Sequence, residues 1–549
     1  MFRTLSFVAA LCLIVTSGTQ NLFQEGLFYE QVVTGLVSPT AFEFLDDDTI
    51  LVNQKNTGQV LVIQDNAIAQ VALDLTVSNT GEMGLLGIVK HPDFEINNVV
   101  YIYHTFAQAD GGAWQEDRLQ TYTWDSQNRT LTLAATIATW GPEGWLTSPF
   151  HHGGYIKIGP DRKLYVQHGD MRRYGTMAVN EDTGVSGSNA AIYRLELDGS
   201  VPADNPFVSE SDLNFKRAYV YGMRNAFGMA FDPQTGKLWY TENGPEIYDE
   251  INIAEPGMNS GWRKIMGPDK RDASMEINNG VTFDAKDLFM LPGSHYSDPV
   301  FSYLTPIGIT CIEFLSGTKF SDNLRKMAIM SCTSVGRLFL LPITEDRLGL
   351  VAAGPIADLV ADDIAERDLF MIGTGWGAVT DARVGPDGYL YVCSYGRGAI
   401  YRLRPKVESV VPEEFLLQPG VTSSTLQDLS ESDDTHFTIF PGIVFSNQQP
   451  AAVLEVTATS PFADPTRLDF LVEAAASSNA IKQTIELFDY AAGEFVVFAS
   501  ANITTADETY TVSAIEPLTD FIEPGTLKMR VVSRTRSLHR FSAIRGKCG

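Results

Sequence analysis

The residues best suited to chemistry lie in His151-His152-Gly153-Gly154, which leads into the β-prone Tyr155-Ile156-Lys157-Ile158 and the turn Gly159-Pro160-Asp161. Imidazole titrates near neutral pH, so a histidine at the mouth of a strand is suited to act as a general base. The two glycines behind it let a flat ligand approach the backbone. Neighbouring residues of an extended segment point to opposite faces, which predicts that His151 and His152 serve different surroundings. The alternative is a pair of surface or metal-binding histidines.

The elements that must position His151 recur. Strand, polar turn, strand and glycine-bearing return appear at Phe42 to Ile63 around Asp46-Asp47-Asp48, and at Leu86 to Tyr103 around His91-Pro92-Asp93. They appear again at Ile158 to Val166, at Phe231 to Trp239 around Asp232-Pro233-Gln234-Thr235-Gly236, more weakly at Ile312 to Leu341, and at Val384 to Val392 around Gly385-Pro386-Asp387-Gly388. Proline fixes φ and glycine supplies positive φ where a hairpin needs them. Units of this size cannot bury both sheet faces alone, so the repeat predicts an all-β chain with a six-bladed β-propeller over residues 21–404. Irregular stretches at 106–118, 171–189 and 263–298 are expected to decorate one rim.

Beyond Pro405 the pattern stops. Residues 405–414 read as a linker, and residues 415–549 as a C-terminal β-sandwich built from runs such as Val453 to Thr457, Leu468 to Glu473 and Thr484 to Phe488. At the other end, Met1-Phe2-Arg3 and the apolar run Leu5 to Val15, followed by small residues, read as a signal peptide over residues 1–20. The expectation is a soluble, exported protein, secreted or periplasmic, with no membrane insertion.

Lys plus Arg number 40 against 67 Asp plus Glu, a net charge of −27 that argues against nucleic acid or an anionic membrane as partner. Cys12 would leave with the signal. Cys311, Cys332, Cys393 and Cys548 fit no dense disulfide framework; a Cys311 to Cys332 bridge and buried free thiols are both open.

Several long motifs resemble the glucose/sorbosone dehydrogenase family in the family's order. They are Gly84-Leu85-Leu86-Gly87-Ile88 with His91-Pro92-Asp93-Phe94; His151 with Gly153-Gly154; Asp198 to Phe207; Tyr221-Gly222-Met223-Arg224-Asn225; and Glu242-Asn243-Gly244-Pro245 through Asp249-Glu250 to Gly261-Trp262. The resemblance covers roughly residues 30–404 and implies a six-bladed propeller that oxidises sugars with pyrroloquinoline quinone (PQQ) and calcium. It implies that His151 is the catalytic base, taking the anomeric hydroxyl proton as hydride passes to the quinone. It implies that Arg224 and Asn225 contact the quinone, with Glu82 and Asn243 beside it. Gly244 and Pro245 would ligate calcium through their carbonyls, with Asp249 and Glu250 alongside.

The sequence departs from the family at the cofactor's carboxylates. No Lys or Arg stands in Cys332-Thr333-Ser334-Val335-Gly336, where the family keeps a lysine, and Ala378 and Thr380 hold the places of two arginines. Lys157 and Arg172 are the nearest candidates to compensate. The first reading is therefore a quinoprotein-like aldose dehydrogenase acting on a sugar, with an electron acceptor as partner. The second is a non-catalytic secreted propeller that binds a glycan or a protein. A third, a calcium-dependent lactonase-like hydrolase, would draw its carboxylates from Glu82, Glu242 and Glu250.

Overall fold

The computed structural model describes residues 5–8, 14–17, 27–141, 148–187, 189–271, 281–333, 336–405, 410–429, 437–446, 448–460, 465–474, 476, 481–505, 508–515, 518–523 and 525–535. Most of the expected signal segment, the Ser334-Val335 pair, Cys12 and Cys548 lie outside these residues. The chain divides into two compact units, Leu22–Arg404 and Pro405–Gly549 with Met1–Asn21.

Within Leu22–Arg404 the strands form six sheets, each of four strands or more. Their first strands are Pro39–Phe44, Leu85–Lys90, Ile156–Ile158, Gly228–Phe231, Ile309–Phe314 and Val379–Val384. Each of the six sequence repeats contributes to a different one of these sheets. The first strands pack against one another in order, and the sixth returns to the first, so they make a closed ring. The last sheet, Val379–Val384, Leu390–Ser394 and Ala399–Pro405, is completed by Leu27–Thr34 from the start of the unit. The result is an all-β, propeller-like arrangement.

The repeated turns explain why these residues become hairpins. Asp161 accepts the Tyr165 hydroxyl at 3.0 Å, and Asp387 accepts the Tyr391 hydroxyl at 2.7 Å, so each aspartate ties its turn to the strand that follows. Gly388 takes φ +79°, the left-handed region that glycine enters without a steric cost. Apolar side chains fill the space between successive sheets: Leu51 and Val62 of the first meet Ile88 and Ile102 of the second, and Tyr391 and Ile400 of the last meet Phe42 and Val52 of the first.

The stretches expected as rim loops are partly regular. Residues 114–118 belong to the strand Trp114–Asp125, in which Asp117 is buried. Residues 171–189 carry a 3-10 turn at Met177–Val179, and His295–Tyr296 adds a strand to the third sheet. Cys311, Cys332 and Cys393 are buried free thiols. The register sets Cys332 opposite Ile309 rather than Cys311, so the cross-strand bridge does not form.

The other unit contains two sheets. One runs Glu414–Leu417, Ala452–Thr459, Thr526–Thr535, Ile481–Asp489, Glu494–Ile503. Burial alternates along Ala452–Thr459, as expected of a strand with one face on a core. In the other sheet, Leu5–Val8 and Ile14–Ser17 pair with Pro465–Ala474.

Candidate active site

Residues at or immediately before the first strand of each sheet converge on one cavity of about 230 Å³: Thr40, Leu86, Tyr155, Phe227, Thr310 and Thr380. Because one residue comes from every sheet, the cavity lies where the ring of first strands closes. A larger hollow of about 740 Å³ lies among the far ends of the same strands, but its central charges are already paired. Lys157 binds Glu313 at 2.7 Å and Arg383 binds Glu43 and Asp381 there. Lys157 therefore does not reach the first cavity, and Arg172 stacks on Phe150, 4.6 Å from the ring centroid.

His151 takes φ +65°, left-handed rather than extended; neither it nor Arg224, Asn225 or Asn243 lines the axial cavity itself, and His151 meets the wall through its main-chain N–H to Glu82 and through Gly153. Its Nδ1 lies 2.6 Å from Asp170 Oδ1, and the Trp262 indole donates to Asp170 Oδ2 at 2.7 Å. A buried carboxylate that accepts Nδ1–H fixes the tautomer and leaves Nε2 with its lone pair, the state a general base requires. His152 turns elsewhere: its Nδ1 faces Asp117 at 3.0 Å and its Nε2 faces the Ser148 carbonyl at 2.8 Å. The two rings do diverge, but because the left-handed turn at His151 separates them and not because an extended strand alternates.

Glu82 joins Asn225, one of the expected cofactor residues, to His151. It accepts the His151 main-chain N–H at 2.6 Å and the Asn225 amide at 3.2 Å. Arg224 accepts at its carbonyl from Asp170 N–H at 2.8 Å and donates through its guanidinium to the Asn243 carbonyl at 2.9 Å. Arg224 Nε and Asn225 Oδ1 are buried without a hydrogen-bond partner.

The expected calcium ligands are arranged otherwise. Asp249 accepts main-chain N–H groups from Gly244 at 3.0 Å, Ile307 at 2.7 Å and Gly308 at 2.6 Å. Glu250 accepts from Gly267 N–H and, at 3.0 Å, from Asn252. Both carboxylates are thus engaged in holding backbone. Gly244 is required because a side chain there would meet the Tyr248 carbonyl at 1.9 Å. Calcium takes six to eight oxygens, and among the described residues no group of three or more acidic, His or Cys side chains is placed to hold a metal. The main-chain carbonyls of Gly244 and Pro245 do not fit such an ion by themselves.

Sequence reasoning missed two residues of the site. Asp170 follows the strand Leu164–His168 in His168-Gly169-Asp170, and its place after a strand end on the His151 side was the available signal. Lys55 follows the strand Thr49–Gln54 and lines the cavity with 7% exposure. Burial pushes its ammonium down to about 8, opposed by the charge of Glu82.

Thr333, Ala378 and Thr380 line the same cavity, so the positions where the family's cations are expected do converge there. Lys55 is the one cation and Glu82 the one carboxylate of that lining. PQQ carries three carboxylates, and each missing charge-assisted bond is worth about 1.5–3 kcal/mol. On charge, the lining does not fit this quinone.

The glucose/sorbosone dehydrogenase family model matches residues 36–402, and the chain belongs to that family. Quinoprotein glucose dehydrogenase B of Acinetobacter calcoaceticus is 31% identical over 258 residues, 43% of this chain and 52% of that protein. Aldose sugar dehydrogenase YliI of Escherichia coli K12 is 26% identical over 328 residues, 59% of this chain and 78% of that protein. The chain thus spans about half the length of the first and most of the second. The PQQ-bound form of aldose sugar dehydrogenase from Streptomyces coelicolor superposes with a TM-score of 0.51 at 22% identity, covering 70% of this chain and 100% of that one, a likeness of fold alone.

Proposed function

We propose that residues 22–404 are a six-bladed propeller and that its axial cavity acts on a sugar hydroxyl, in the manner of the family's aldose dehydrogenases. The observation that carries this reading is the His151–Asp170–Trp262 chain, with contacts of 2.6 and 2.7 Å, which holds a proton acceptor in one tautomer and is tied through the His151 main-chain N–H to Glu82 of the cavity wall. Glu82, which lines the cavity, binds both the His151 N–H and the Asn225 amide, and the Arg224 carbonyl accepts from Asp170 N–H, so these residues form one connected network with the acceptor. His151 takes the hydroxyl proton at Nε2, and Asp170 offsets the charge that the imidazolium gains. The N-terminal apolar run supports export of the chain, and the paired sheets of the other unit support a β-sandwich.

A second reading, a secreted carbohydrate-binding propeller without turnover, is favoured by the uncharged lining at Thr333, Ala378 and Thr380. The experiment separating the two incubates purified protein with PQQ, millimolar calcium and a panel of aldoses, and follows dye reduction. Sugar-dependent reduction that His151→Ala abolishes supports the dehydrogenase. Sugar binding without reduction supports the binder.

A further inference from the structure

Lys55 is the anomaly of the cavity. Its ammonium donates to Asn56 Oδ1 at 3.0 Å and to the Asn79 carbonyl at 3.4 Å, and among the described residues no carboxylate lies within ion-pair distance of it. Glu82 acts on it only through space, and Glu82 is already held by His151 N–H and the Asn225 amide. A charge removed from water without a counter-ion is costly unless a ligand supplies one.

The rest of the lining limits what that ligand is. Thr40, Thr310 and Thr380 present hydroxyls whose protons go to main-chain carbonyls, of Leu85 at 2.7 Å, Val379 at 2.5 Å and Pro39 at 3.2 Å, so each keeps a lone pair for a ligand hydroxyl. Tyr155 and Tyr395 add aromatic surface, and the Tyr155 hydroxyl is occupied by Asp381 at 2.5 Å. The Glu82 carboxylate of the same lining is already bonded to the His151 N–H and the Asn225 amide, so the hydroxyl-matching groups, the aromatic surface and the one cation left without a carboxylate partner describe a polyol with one negative charge. We infer that the axial cavity takes a sugar bearing one carboxylate, a uronic acid or the uronate end of a glycan, with that carboxylate on Lys55. This rests on the reading that the cavity is the sugar site; a monocarboxylate on a bound cofactor is the other source of the same chemistry.

The test is calorimetric titration of the full chain with D-glucuronate, D-glucose and PQQ plus calcium, for wild type, Lys55→Met and His151→Ala. Glucuronate is expected to bind wild type about 10- to 100-fold more tightly than glucose, the range one charge-assisted bond supplies. In Lys55→Met that ratio falls to about one, and the melting temperature does not drop, because an unpaired buried charge has been removed. If Lys55→Met does not fold, Lys55→Gln is read in the same way. Equal affinities in wild type, a preference that survives both substitutions, or no binding of either sugar overturns the inference. Sub-micromolar PQQ binding that Lys55→Met abolishes also overturns it, assigning the lysine to a cofactor. Binding is read apart from turnover: a glucuronate preference without oxidation would sink the proposed reaction and leave the uronate site standing.

Discussion

Glu242 and Glu250 stand directly opposite each other on adjacent antiparallel strands, both fully buried or nearly so. Burial pushes Glu242 up to about 7, against the pull of the Arg224 N–H and the Ser260 hydroxyl. Burial, and then the charge of Glu242, raises Glu250 well above the carboxylate range. Two like charges this close do not ionise together, so the pair retains a proton at neutral pH, on Glu250.

Both carboxyls have folded values above their unfolded ones. Their contribution to stability is complete below the ordinary carboxylate range and is lost as pH rises through about 7. Melting temperature should therefore fall as pH rises from about 4.5 through about 7, and go on falling as Glu250 in turn ionises. Glu250→Gln, which cannot ionise, should flatten that fall and melt about 1 to 3 °C above wild type at the alkaline end. Thermal denaturation across the pH series is the measurement, and equal slopes for the two proteins would count against a shared proton.

The Asp117–His152 pair behaves in the opposite way at its acid limb. His152 faces an acceptor at each ring nitrogen, as an imidazolium requires, and although burial lowers its value, Asp117 raises it further, to a net increase. Burial raises Asp117, but the histidines outweigh it and hold the carboxyl far below its usual range. The His152 contribution is lost as pH rises through its elevated value, and that of Asp117 as pH falls below its depressed one. Asp117→Asn leaves the imidazolium without its counter-charge and should cost about 3–5 kcal/mol in urea unfolding.

Asp170→Asn should lower turnover by about 10²- to 10⁴-fold while leaving sugar affinity nearly intact. The amide cannot accept from His151, Trp262 and the Arg172 N–H together, at 2.6, 2.7 and 2.7 Å, so the ring loses its tautomer and orientation. Steady-state kinetics separates the cases: a change confined to KM would assign Asp170 to binding.

Gly153→Ala should destabilise the protein by at least about 1–3 kcal/mol from its left-handed backbone alone. Its φ is +64°, and a side chain would meet the Gln167 carbonyl at 2.6 Å. Gly141→Ala, with nothing within 4 Å, is the control. Matched melting curves for the two would show that the neighbouring strand yields.

The repeats were legible in the sequence because turn chemistry is local: Asp161 and Asp387 bind tyrosines four residues on, a distance that sequence displays. His151 was legible for the same reason, with its glycines next to it. Asp170 and Glu82 were harder, since they reach His151 only after three-dimensional closure. Lys55 was invisible, because burial of a turn lysine comes from the other sheets that surround it. Asp249 and Glu250 misled in a different way: adjacent acidic residues look like ligands, and only the backbone N–H groups they accept disclose their role.

The strand Leu27–Thr34 finishes a sheet whose other members lie at the far end of the unit. This strand, the first of its unit, must wait for Ala399–Pro405, the last strand of the unit's sheets, before its edge is covered. Closure of the ring is thereby a late, long-range event, slow in the way that non-local pairing is slow. A unit with this topology stays open until nearly all of its own residues have been synthesised, and one sheet then ties its two ends together.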